Sequence, residues 1–279
     1  MKNEDAKNLI EDIITCINVY NLSRLNSLEN PDGHYPRRDA SNNIYIQAYG
    51  ELSTYLRYLF IYYNSKVDDD KLKSVTFPFI EYIKNALQQY DEIILITYNY
   101  DIWLERLLML NDLEFNIEGF EDKPSKIKII KPHGSISFTC TAKVRGPFEV
   151  RTSEFDYITQ DIGQFNLKYD LAGDYPIINA IIPPAGDSNR FSMSWVKTLR
   201  QKVSEKIQLS DSRDKMIIFG ISYWHVDRAE IDEILTQVNP LIEMTLINPT
   251  PPTCFDAVLT SLFKNYVHYP NTDLLEVNL

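Results

Sequence analysis

The apolar positions of this chain follow two different periods, and the switch between them outlines its elements. Over residues 4–20, Leu9, Ile10, Ile13, Ile14 and Ile17 recur at intervals of three and four, the spacing of an amphipathic helix. Residues 29–43 concentrate Pro, Gly, Asp and Asn, which favour turns, and read as a loop. Ser41 or Asn42 is placed to cap the long helix that follows, whose buried side is predicted to carry Tyr49, Leu52, Leu56, Leu59 and Phe60. A helix over about 77–90 then gives way to a short continuous apolar run, Ile93-Ile94-Leu95-Ile96. That is the mark of a strand covered on both faces, predicted over 92–98. Similar runs recur at 127–132, 215–220 and 242–247, with helical spacing at 101–111, 192–207, 227–238 and 253–265.

Residues 136–190 keep neither period for long. They hold β-like pieces at 136–144 and 148–152, loops around Gly163 and Gly173, and the segment from Ile177 to Pro184. The strand–helix alternation outside this region predicts an α/β protein with a mostly parallel sheet and helices on both faces. The expected organisation is a helical segment and the first part of the α/β domain over 1–135, a small irregular insertion over 136–190, and the second part of the domain over 191–279.

Composition narrows the picture. A length of 279 residues suits one α/β domain with an insertion, or two small domains. Hydrophobic residues at 44% and charged residues at 24% describe an ordinary globular chain. A net charge of −11 argues against a broad footprint on nucleic acid, so no direct nucleic-acid binding is expected. Tyrosine is abundant, and the Tyr62-Tyr63 pair closing an aromatic-rich helix reads as core and interface packing. The three cysteines, Cys16, Cys140 and Cys254, are widely separated and suggest neither a disulfide framework nor a zinc site. No apolar run approaches a bilayer span, and the opening Met-Lys-Asn-Glu-Asp does not look like a signal peptide. A cytoplasmic protein without membrane association is expected.

Candidate chemistry gathers where the buried strands end, because ligands of open α/β sheets sit at the carboxyl ends of the strands. The first run ends in Thr97-Tyr98-Asn99-Tyr100-Asp101, and the second in Lys131-Pro132-His133-Gly134-Ser135. The third ends in Gly220-Ile221-Ser222 and the fourth in Asn248-Pro249. Each has a structural reading beside the functional one. Thr97 and Asn99 can form a turn, Asp101 can cap the helix that follows, and His133 can be a satisfied core histidine. Gly220 can serve a tight turn and Asn248 a turn before proline, and His225 reads as a solvated or capping residue.

Taken in order, these elements resemble the sirtuin-like family, most closely its divergent bacterial branch, over about residues 75–265. Thr97 to Asp101 matches the family's Thr-x-Asn-x-Asp element, His133-Gly134 its His-Gly element, Gly220 to Ser222 its Gly-x-Ser element, and Ile247-Asn248 its Ile-Asn element. Ile181-Ile182-Pro183-Pro184 is similar to an apolar-Pro-Pro segment of the same branch. The resemblance implies a Rossmann-like fold with NAD bound as substrate at the sheet's carboxyl edge. It implies that Asn99 orients the ribose and an attacking water, that Asp101 holds the nicotinamide pocket, and that His133 is the general base. It assigns Thr97, Gly134, Gly220, Ser222 and Asn248 to NAD binding, with Ser222 on a phosphate and Asn248 toward the adenosine ribose.

Two features depart from the family pattern. Its opening strand and glycine-rich phosphate loop have no counterpart, since the first glycine is Gly33 in a polar loop; Pro36-Arg37-Arg38 could clamp a phosphate or be solvated surface. The pattern implies a divergent form, a start further upstream, or a chain that docks on a partner chain or on further copies of itself. The paired cysteines of the zinc ribbon are also absent, which points away from protein deacylation. The resemblance therefore implies hydrolysis of NAD to nicotinamide and ADP-ribose, in a branch associated with antiphage defence. An inactive nucleotide sensor or assembly subunit is the alternative, and an NAD-dependent deacylase a more distant one. Three dispersed cysteines cannot supply the four soft ligands of a structural zinc site. Protein purified without added metal is expected to contain far less than one zinc per chain by elemental analysis; a full equivalent would contradict this.

Overall fold

The computed structural model describes residues 8, 12, 15, 40–121, 123–140, 161–171, 179–182, 193–223 and 228–275. In chain order the elements are α1 (Ala40–Lys66), α2 (Asp69–Ser74), α3 (Pro78–Gln89), β1 (Ile93–Ile96), α4 (Trp103–Leu110), β2 (Phe115–Ile117), β3 (Ile127–Ile130) and β4 (Gly134–Cys140). They continue as β5 (Phe165–Leu167), β6 (Asn179–Ile181), α5 (Ser194–Gln208), β7 (Lys215–Phe219), α6 (Arg228–Gln237), β8 (Glu243–Ile247), α7 (Thr253–Leu262) and β9 (Asn265–Tyr269). The described residues thus form a mixed α/β structure with seven α-helices and three three-stranded sheets, two parallel and one antiparallel. No helix among them is long and apolar enough to cross a membrane. Asn8, Asp12 and Thr15 are helical and exposed, at the spacing of the polar side of the helix predicted over 4–20.

The chain divides into two compact units, one of Met1–Lys66, Tyr98–Ile102 and Lys131–Leu199, the other of Val67–Thr97, Trp103–Ile130 and Arg200–Leu279. The second unit holds both parallel sheets. In one, β3 lies between β1 and β2, with Ile93 and Phe115 both level with Ile127. In the other, β8 lies between β7 and β9, and Glu243 pairs with Lys215 on one side and Asn265 on the other. The central strands carry the burial: Ile127, Ile129 and Ile130 of β3, and Met244, Leu246 and Ile247 of β8. Covered on both faces, such strands can be apolar at nearly every position, whereas the edge strand β9 stays largely exposed. Pro78 opens α3, where a missing N–H costs nothing, and Ile80, Tyr82, Ile83 and Ala86 supply its buried stripe. Tyr82 and Ala86 join Ile247 and Leu275 in a core lined by Phe79, Tyr90, Ile93, Ile217 and Tyr269.

The first unit pairs α1 with the antiparallel sheet, in which β4 lies between β5 and β6. Phe138 is level with Leu167 and Gly134 with Ile181. Its core is Tyr100, Ile102, Ile136 and Ile181, against which Phe60 and Ile61 of α1 pack together with Tyr169 and Leu171. The inward side of α1 is therefore turned from the one predicted. Leu52, Leu56 and Leu59 are half-buried, while Arg57 is buried. The burial of Tyr49 lies outside the described residues, as do residues 148–152, Gly173 and the Pro183-Pro184 pair.

Three strands have no counterpart in the apolar pattern. β2 and β5 are three residues long, too short to show a period. The helix expected over 253–265 stops at Leu262, and the alternating Tyr266, Val267, His268 and Tyr269 belong to β9.

At the start of β1, Glu92 gathers two lysines. Lys206 Nζ lies 3.0 Å from each carboxylate oxygen, and Lys128 forms a close ion pair with the same group while lying 3.6 Å from Glu118. Burial pushes the Glu92 carboxyl up, but hydrogen bonds from Lys128 and Lys206 outweigh it and leave it below its ordinary 4.5. A carboxylate depressed on folding contributes stability above its unfolded pKa and loses it as pH falls through the folded value. Glu92→Gln is therefore expected to cost on the order of 1 kcal/mol at neutral pH, since a side chain about one-third exposed is partly screened. In urea unfolding the gap from the wild type should close as pH is lowered to about 3. An equal gap at both pH values would contradict the assignment.

Candidate functional site

Residues 98–102, which follow β1 in the chain, and residues from Lys131 onward, which follow β3, belong to the first unit. There a set of hydrogen bonds stitches Tyr98–Ile102 to the residues opening β4. The Tyr100 carbonyl accepts from Ile136 N at 2.9 Å and from Ser135 Oγ at 3.2 Å. Ser135 Oγ in turn accepts from Ser137 Oγ at 2.9 Å. Lys131, fully buried, donates its Nζ to the Asp101 carbonyl. A third segment joins through Ile182, whose N–H donates to the His133 carbonyl at 2.9 Å and whose carbonyl accepts the Tyr100 hydroxyl at 2.5 Å. The polar groups of this set thus partner one another, as burial requires.

Gly134 sets how closely these segments approach. Its φ is +81°, and a Cβ placed there would lie 1.8 Å from the Ala180 carbonyl oxygen. Only glycine meets both conditions. His133 beside it is 4% exposed, and its ring meets the Tyr98 ring edge-on at a centroid distance of 4.7 Å and an interplanar angle of 66°. Asn99 is exposed and Asp101 half-buried. The first unit therefore sets the segment that carries Asn99 and Asp101 beside the segment that carries His133 and Gly134. It offers an imidazole able to take a proton, an amide able to donate and accept, and a carboxylate near the surface. Lys131 and Tyr100 hold this cluster together and had no role in the strand-end motifs. The signal for Lys131 was present: a lysine ending a buried strand cannot reach water and must find an oxygen.

The remaining candidates belong to the second unit. Thr97 extends the parallel ladder, its N–H donating to the Ile130 carbonyl at 3.0 Å. Gly220 ends β7 with φ at +65° and donates to the Ile247 carbonyl at 3.1 Å; a Cβ there would meet nothing, so conformation alone calls for glycine. Ser222 is exposed. Asn248 is buried and its amide is engaged at both ends, donating to the Ile221 carbonyl at 3.0 Å and accepting from Thr250 N at 3.1 Å. It forms the turn that its position before Pro249 suggested and ties it to the turn after β7. Its own carbonyl lies 2.8 Å from His268 Nε2.

Next to Ser222, Tyr223 takes φ +49°, stacks on Phe255 at 4.3 Å, and donates its hydroxyl to Asp232 at 2.5 Å. Burial, followed by that bond, pushes the Tyr223 hydroxyl up to about 12. The Arg228 guanidinium lies over the same ring at 5.0 Å. Gly33, Arg37, Arg38 and His225 lie outside the described residues. Among the described residues, no three His, Cys, Asp or Glu side chains are grouped so as to hold a metal ion.

No protein-family model matches the chain, and no curated protein shows significant similarity to it. The two site glycines separate steric from conformational demands. Gly134→Ala should cost about 3 kcal/mol or more, because a methyl group would collide with backbone, whereas Gly220→Ala should cost only about 1 kcal/mol for its positive φ. Chemical unfolding of the two variants checks this, and equal losses would contradict the close approach at Ala180.

Proposed function

We propose that this chain is a sirtuin-like protein with a Rossmann-like fold that binds NAD and hydrolyses it to nicotinamide and ADP-ribose, with antiphage defence as its setting. The observation that supports this most is the stitched cluster of the first unit, where the segment that carries Asn99 and Asp101 is joined to the segment that carries His133. In the reaction the bond between nicotinamide and the ribose anomeric carbon breaks, its electron pair leaving with nicotinamide. A water oxygen bonds to that carbon, and the proton it sheds passes to His133, directly or through a ribose hydroxyl. Asn99 orients ribose and water, and Asp101 places a carboxylate near the cationic ring. The family resemblance assigns Thr97, Gly134, Gly220, Ser222 and Asn248 to NAD binding; within the second unit, Asn248 fixes the turn next to Ser222.

One observation favours a second reading. His133 is only 4% exposed beneath Tyr98, as in a protein that holds a nucleotide without cleaving it. Such a chain would be a nucleotide sensor or assembly subunit.

Nicotinamide release and NAD calorimetry separate the two. For a hydrolase, His133→Ala should lower turnover by roughly 10²–10⁴ while leaving most binding intact. Asn99→Ala should lower turnover with a modest loss of binding, and Ser222→Ala should weaken binding first. Release that survives in His133→Ala removes the proposed base. Binding without release in the wild type supports the sensor, and the absence of both contradicts either reading.

A further inference from the structure

The outer side of α1 carries a stripe that the NAD reading does not use. Tyr55, Tyr58 and Tyr62 are 61%, 42% and 55% exposed, with Tyr63 alongside at 54%. Glu51 and Lys66 are exposed at the two ends. The intervals from Glu51 through Tyr55, Tyr58 and Tyr62 to Lys66 are four, three, four and four residues. At 3.6 residues per turn they fall in one stripe about 80° wide. The opposite side of the helix holds the buried Arg57 and the core-packed Phe60 and Ile61, so the stripe points away from the first unit's own core. Lys66 Nζ already lies over the Tyr62 ring at 4.7 Å, and the Tyr62 and Tyr63 rings meet edge-on at 5.7 Å, which orders this end of the face.

We propose that this stripe is a two-fold interface with a second copy of the chain, the two α1 helices packing antiparallel about a dyad at Tyr58 and Leu59. Only in that register do the two charged ends of the stripe, Glu51 and Lys66, pair. Positions whose numbers sum to 117 face each other, so Tyr55 meets Tyr62 of the partner subunit and Glu51 meets Lys66 of the partner subunit. Both contacts occur twice by symmetry. Tyr58 sits at the dyad against Leu59 of the partner subunit. Aromatic residues fill the centre and the ion pairs the rim, the usual anatomy of a protein interface.

Area and charge point the same way. Half-exposed tyrosines leave on the order of 100 Å² each; the three of the stripe, with the rim residues, bring the total buried by two copies to about 800 Å², the size of a concentration-dependent association. A net charge of −11 opposes self-association in general, but the 27 residues of α1 include only Glu51, Arg57 and Lys66 as charged groups, a local balance of +1. This is therefore a face on which two acidic copies can meet without repulsion. The proposal stands apart from the NAD reading and survives its failure.

Sedimentation velocity of the full chain across a concentration series tests it. The wild type should form dimers, and Tyr55→Glu with Tyr62→Glu should give monomers whose circular dichroism and thermal unfolding match the wild type. Glu51→Lys alone should raise the dimer dissociation constant about tenfold, and adding Lys66→Glu should restore it. Register is checked in a Cys254→Ser background. Tyr58→Cys should cross-link to itself, and Tyr55→Cys should cross-link with Tyr62→Cys far better than with itself. A wild type that stays monomeric at all concentrations overturns the proposal and assigns the stripe to another occupant. Dimers that persist in the doubly substituted tyrosine variant, or charge reversals that fail to compensate, also overturn it.

Discussion

The close approach of Gly134 to Ala180 is the constraint on which the rest of the first unit depends. With no side chain at that point and a left-handed backbone, β4 can run against β6 while its first residues bond to Tyr100. The Tyr100 carbonyl then receives two donors, the buried Lys131 finds the Asp101 carbonyl, and Ile182 is held on both sides of its peptide. A larger residue at 134 would part the segments and leave several buried donors and acceptors unpaired, each costing more than a made hydrogen bond returns. His133 inherits its position from this arrangement, fixed between the glycine that follows it and the Tyr98 ring that covers it.

The second unit solves a similar problem by other means. Parallel strands satisfy one another's backbone, so its polar side chains are free to work at the strand ends. Asn248 spends both ends of its amide on two turns, Gly220 supplies the positive φ that lets β7 leave the sheet, and Tyr223 is fixed by Phe255, Asp232 and Arg228. At the opposite ends of the strands, Glu92 binds Lys128 and Lys206 and so ties β1, β3 and α5 together through one carboxylate.

Much of this was legible in the residues. Isoleucine-rich runs marked β1 and β3 because strands covered on both faces can be apolar at nearly every position, and the helices on either side showed their period plainly. What escaped was short or borrowed from elsewhere. β2 and β5 offer three residues each, too few for alternation to register, and β9 was hidden because Tyr266, Val267 and Tyr269 continue the apolar content of α7. On α1 the inward place of Phe60 was legible, but those of Ile61 and Arg57 were not, because that side is chosen by residues such as Tyr100, Ile136 and Ile181, which lie far away in the chain. Lys131 was visible as a residue but not as a clamp, since its partner is a backbone carbonyl thirty positions earlier.

The central claim is that NAD meets the protein at His133, and the chain's four histidines make this open to a direct measurement. Histidine-selective nuclear magnetic resonance of the full chain, titrated with an NAD analogue whose glycosidic bond cannot be cleaved, reports each imidazole separately. The His133 resonance, assigned by its loss in His133→Ala, should shift and saturate with the same dissociation constant that calorimetry gives. A His133 resonance unmoved at analogue concentrations that saturate the protein would place the ligand elsewhere and contradict the account.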